Sequence, residues 1–105
     1  MTVSELSLRI AAREAPAIFD VRTAGEFAEG HVPGAINIPF NQIRQRIGEM
    51  PIDRAAPLIV YCGHGPRAWI AARALRKAGY TAVSYMAGHM AAWRRARLPE
   101  DRASG

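Results

Sequence analysis

The chain has 105 residues, half of them hydrophobic and 22% charged, with a formal net charge of +5 and one cysteine. That length supports one core, the composition is that of an ordinary globular domain, and a lone cysteine excludes an internal disulfide. No Cys/His spacing resembles a structural zinc site, so no metal is expected, and no apolar stretch approaches membrane-spanning length.

The segment Met1 to Glu5 lacks a basic region followed by an apolar one, and a free thiol suits a reducing compartment, so a cytoplasmic protein is expected. The positive charge is carried by arginine, with Lys77 the only lysine. Arg94, Arg95 and Arg97 cluster late in the chain, and Arg73, Arg76 and Lys77 fall on one helical segment. No basic run is interleaved with aromatics. A solvated face that draws small anions is expected, with no nucleic-acid or membrane partner.

In chain order, Ser4 is placed to cap a first helix carrying Leu6 and Ile10, closed by Pro16. Ala17-Ile18-Phe19 reads as a short strand ending at Asp20-Val21-Arg22. Thr23 and Glu26 have the spacing of a capping box, and the helix they start stops at Gly30. His31 to Gly34 is a turn, and Ala35 to Ile38 a second strand. Asn41 can cap a helix through Ile43 and Ile47 that Gly48 ends. Pro51 and Pro57 make Met50 to Pro57 a connector.

Leu58 to Tyr61 is a continuous apolar run, the pattern of a central strand covered on both faces. Pro66 suits the first position of the next helix, where Ala71, Ala74, Leu75 and Ala78 share a face and Gly79 supplies the left-handed cap. Thr81 to Tyr85 is the last strand. Gly88 leads into a final helix with Met90 and Trp93, ending before Pro99. The core is expected over about residues 4–98, with 99–105 a frayed tail of the same single domain. Strands alternating with helices imply an α/β fold: an open, mostly parallel sheet with helices on both faces and ligands at the carboxyl strand ends.

Cys62 falls at such an end and opens the loop Cys62-Gly63-His64-Gly65-Pro66-Arg67. Strand, glycine-rich loop and helix start form an anion site, because Gly63 and Gly65 let consecutive N–H groups turn inward beside the helix terminus. Donors of this kind favour a thiolate, so Cys62 is the candidate nucleophile; the competing reading is a small buried hydrophobe. Arg67 could bind an anionic substrate through its guanidinium fork or make a structural ion pair. His64 is expected to project to solvent, and His89 has no assigned role.

Four segments together resemble the single-domain rhodaneses, a sulfurtransferase family, over about Ser4 to Trp93. They are Asp20-Val21-Arg22 with Glu26-Phe27, Gly30 to Pro39, Tyr61 to Arg67, and Ala87 to Trp93. The resemblance implies a double displacement through a Cys62 persulfide, with thiosulfate or a similar anion as donor and cyanide or a thiol as acceptor. It implies no metal or organic cofactor, and it makes Asp20 and Arg22 supports of the loop. A persulfide-carrying relay fed by a partner protein needs the same loop and stays open. The related phosphatases and arsenate reductases have a loop one residue longer, which disfavours that chemistry here. Two departures stand out: Ala68 replaces a serine common in relatives, and Ala87 replaces the first of two glycines.

Overall fold

The computed structural model describes residues 1–50 and 52–102; Pro51 and the last three residues of the expected tail lie outside the described residues. Four strands form one sheet in the order β2-β1-β3-β4. They are β1 (Ala17–Asp20), β2 (Ile36–Asn37), β3 (Leu58–Tyr61) and β4 (Val83–Tyr85). Every pairing is parallel, with Asp20 opposite both Asn37 and Tyr61 and Val60 opposite Tyr85. Parallel neighbours need crossovers, and helices α1 (Val3–Ala11), α2 (Ala24–Glu29), α3 (Ile43–Arg46), α4 (Pro66–Lys77) and α5 (His89–Arg95) lie in the intervening and flanking segments. The expected α/β architecture is present.

The period-two pleat of β3 divides the core. Leu58, Val60 and Cys62 pack with Phe19, Ile43, Ala68, Ala71 and Leu75 on the α3–α4 side. Ile59 and Tyr61 pack with Ile18, Leu6, Met90 and Trp93 on the α1–α5 side. All four residues of β3 are buried, which accounts for its unbroken apolar sequence. The sheet therefore has helices on both faces, and Cys62 belongs to the face that α4 covers.

Local signals were decisive where they were short-range. The Thr23–Glu26 capping box is formed in both directions, and Pro66 opens α4. Four local expectations are corrected. The first helix is capped by Thr2, whose hydroxyl accepts from Glu5 N–H at 3.1 Å, so Ser4 lies inside it. Asn41 caps nothing; a 3₁₀ turn over Phe40–Gln42 leads into α3 without a side-chain cap, and a second turn over Ile47–Glu49 follows it. The tail is pinned as far as Asp101. His31 and Asp101 exchange two backbone hydrogen bonds of 2.9 Å, and the Trp93 indole N–H donates to Pro99 O at 2.9 Å. Donors in the domain body capture that backbone, so it does not fray. The second strand is also shorter than expected, because only Ile36 and Asn37 pair with β1.

Candidate active site

The loop from Cys62 to α4 sits at the carboxyl end of the central strand pair. Cys62 is 1% exposed, and its Sγ accepts a hydrogen bond from Gly65 N–H at 3.0 Å. Gly65 has φ +138, a conformation that a Cβ would strain, and it is from this residue that the chain turns into α4. Gly65 is also the N-cap of α4, so the sulfur lies against the positive end of that helix. His64 and Pro66 are exposed, and Gly63, Gly65 and Arg67 half-buried, around a buried sulfur.

The loop is held from the far side by the start of α5, a contact that spacing alone did not disclose. Cys62 N–H donates to His89 Nδ1 at 3.2 Å, Met90 N–H to Cys62 O at 2.9 Å, and Ala91 N–H to Gly63 O at 3.2 Å. Gly88 (φ +75) and His89 (φ +56) are both left-handed, which turns the free N–H groups of the helix start onto the loop carbonyls. At Gly88 a Cβ would come within 2.5 Å of Ala92 Cβ, so glycine is required there. His89 must be unprotonated at Nδ1 to accept from Cys62. Burial, aided by the nearby His64, pushes its pKa below the usual value and favours that state.

Two carboxylate–arginine pairs flank the loop. Asp20 and Arg22 are buried, joined at 2.7 Å, and Arg22 Nη2 also donates to Gly30 O at 2.7 Å. The Asp20 carboxylate further accepts from Arg22 N–H at 2.9 Å. Burial lowers the Arg22 pKa, but the hydrogen bond and charge of Asp20 outweigh that and raise it overall. Among the described residues neither side chain bonds to residues 62–67. Their support reaches the loop through Tyr61, over whose ring the Arg22 guanidinium sits at 5.8 Å. The Tyr61 hydroxyl accepts from Val32 N–H at 3.1 Å, and burial raises its pKa.

The second pair joins Arg67 to Glu26, with contacts of 2.6 and 3.1 Å to the two carboxylate oxygens. Arg67 therefore makes an ion pair, and its fork faces Glu26. Glu26 caps α2 and braces the loop at once, a double role that its capping spacing did not reveal. The Arg67 hydrogen bonds hold its carboxyl down to about 2. Ala68, in the first turn of α4, is fully buried and offers no hydroxyl to the sulfur. Ala87 donates its N–H to Met1 O at 2.8 Å, and its φ is not positive.

The molecule is thus a parallel α/β domain whose central strand ends in a buried cysteine, followed by a glycine-bearing loop and a helix N-terminus. The match is specific: the chain fits the rhodanese-like domain model over residues 2–96 and belongs to that family. It is 37% identical over 94 residues to a sulfurtransferase of Allochromatium vinosum, covering 90% of this chain and 86% of that one. It is 35% identical over 79 residues to the thiosulfate sulfurtransferase GlpE of Shewanella oneidensis, covering 75% and 76%. The solved structure of the human single-domain sulfurtransferase TSTD1 superposes with a TM-score of 0.79 at 27% identity, covering 90% and 94%. Among the described residues no helix is long and apolar enough to cross a membrane.

Proposed function

We propose that this domain is a sulfurtransferase that carries a sulfane sulfur on Cys62. The Cys62 thiolate attacks the outer sulfur of thiosulfate, the S–S bond of the donor breaks, and sulfite leaves with the bonding pair. Cyanide or a thiolate then attacks the terminal sulfur of the persulfide, giving thiocyanate or a new persulfide and returning the Cys62 thiolate. Splitting the transfer through a covalent intermediate replaces one hard step by two easier ones. The reaction as written calls on no metal or organic cofactor, and the cytoplasm is the proposed location for a free catalytic thiol.

The observation that carries this reading is the Gly65 N–H aimed at Sγ from 3.0 Å at the head of α4. A fixed dipole there stabilises negative charge on sulfur without reorganising during the reaction. Gly63, His64, Gly65 and Pro66 form the proposed substrate loop after the cysteine, and the burial of Cys62 suits slender donors over bulky esters. Arg67, held by Glu26, contributes positive charge beside the loop; Asp20 and Arg22 are supports at one remove.

Intact-mass analysis after exposure to thiosulfate, and then cyanide, tests the proposal, with Cys62→Ala as control. One added sulfur that cyanide removes as thiocyanate, absent from the control, is the expected result. An unmodified wild-type protein would overturn thiosulfate as donor. Turnover of an aryl phosphate instead would overturn sulfur transfer in favour of an oxyanion-ester site.

A further inference from the structure

We propose that the outer face of α4 is a docking stripe for an acidic protein partner with an apolar anchor, which exchanges sulfur with Cys62; this rests on the sulfur-transfer reading above. Pro66, Trp69, Ile70, Arg73, Arg76 and Lys77 are all exposed. At about 100° per residue they fall within one stripe about 120° wide, and the helical rise spreads them over about 16 Å. Trp69 is 57% and Ile70 46% exposed, two of the large hydrophobic side chains that the fold leaves outside its core.

The charge on this face is unmatched. A shallow groove of about 370 Å³ is lined by Trp69, Arg73, Arg76 and Lys77. A second of about 240 Å³ shares Lys77 and adds Arg44 beside Ile47. No carboxylate lines either groove, and α4 itself contains none. Among the described residues the ion pairs engage Arg22, Arg46, Arg67 and Arg94, so Arg44, Arg73, Arg76 and Lys77 have no carboxylate partner. Two of these cations are already ordered. The Arg73 guanidinium lies 5.9 Å from the Trp69 ring centre, and Arg76 donates to Val83 O at 3.0 Å while lying over Tyr85. Pre-ordered cations lose little freedom when a carboxylate arrives.

Position links the stripe to the chemistry. Its first residue, Pro66, follows the Gly65 whose N–H touches Sγ, so a partner lying along α4 has its end at the mouth of the loop. A second copy of this chain is a poor occupant, because its net charge of +5 brings cations against cations. Nucleic acid fits less well, since Ile70 offers no stacking plane and Arg73 covers one face of Trp69. An acidic protein surface with one aliphatic or aromatic anchor matches both the charge and the apolar part.

The test uses two synthetic peptides of equal length with the same cysteine and the same leucine anchor, one rich in Asp and Glu, the other carrying Asn and Gln instead. Transfer from the persulfidated protein to the acidic peptide is expected to be about tenfold faster or more. Neighbouring carboxylates disfavour a thiolate, so intrinsic reactivity works against this result. The advantage should vanish in Arg73→Glu/Lys77→Glu and in high salt, while transfer to the Asn/Gln peptide is unchanged. Arg73→Gln/Lys77→Gln serves if the reversal does not fold. Equal rates for the two peptides, or an advantage that survives both double variants, overturn the proposal. So does tighter binding of single-stranded RNA or phosphatidylserine vesicles than of the acidic peptide, lost in the same variants. Trp69 fluorescence on peptide binding to Cys62→Ser reads docking without chemistry. Loss of that signal on charge reversal therefore supports the stripe even if no sulfur reaches cyanide, an outcome that would sink the transfer reading alone.

Discussion

The two carboxylate–arginine pairs beside Cys62 have the same chemistry and opposite surroundings. In Asp20–Arg22 the side chains are 0% and 3% exposed; in Glu26–Arg67 they are 37% and 30% exposed. In the buried pair Asp20 also accepts from Arg22 N–H and Arg22 Nη2 also donates to Gly30 O, and removing one partner leaves an uncompensated charge in the core. The outer pair is screened by water and contributes little to stability, yet it sits on the loop. Burial thus separates a pair that holds the fold from a pair that adjusts the site.

Asp20→Ala is the largest expected perturbation. It should cost about 3–5 kcal/mol in denaturant unfolding, as for other broken buried pairs. A loss below about 1 kcal/mol would erase the distinction between the pairs. Next, Arg67→Met should raise KM for thiosulfate about tenfold with kcat changed less than about threefold, since a remote charge assists anion capture more than bond breaking. Equal losses in kcat and kcat/KM would instead give Arg67 a contact made in the transition state.

Glu26→Gln is the sharper probe, because glutamine preserves the capping box while removing the charge that holds Arg67. Unfolding free energy should change by less than about 1 kcal/mol, and the thiosulfate KM should move while that of a neutral donor does not. Acid titration probes the outer pair and His89 without mutation. The Glu26 carboxyl is lowered from 4.5 to about 2, so its contribution is complete above about pH 4.5 and is lost as pH falls toward about 2. His89, also lowered, contributes above its ordinary pKa of 6.5 and loses that contribution as pH falls through its folded value. Thermal stability should therefore decline first on the His89 limb, and His89→Ala should remove that limb while leaving the Glu26 limb. The smallest effect is Ala68→Ser. Its added hydroxyl beneath the loop should raise kcat by no more than about tenfold if it reaches the sulfur, with a small stability loss from burying a polar group in a packed site.

Much of this architecture was legible because its signals are local. The apolar run of β3, the proline and glycine bracketing α4, and the Thr23–Glu26 spacing each span a few residues, and each formed as read. The loop was legible for the same reason. The contacts that brace it were not: Arg67 and Glu26 are 41 residues apart, and Cys62 and His89 are 27 apart. Such pairs exist only once the sheet order brings α2 and α5 to the same edge. Ser4 reads as the first cap and Thr2 serves instead; the two are hydroxyl residues two positions apart, and residue type alone does not separate them. Backbone pairing of His31 with Asp101 has no side-chain signature, so the tail looked free.

The backbone at Cys62 has both of its hydrogen-bonding groups engaged by α5, the N–H by His89 and the carbonyl by Met90. With the main chain immobilised on both sides, any atom added to the sulfur can move only by rotation about the side-chain bonds. On the sulfur-transfer proposal the residue would work as an arm on a fixed pivot, with the side-chain torsions alone setting how far an acceptor must enter.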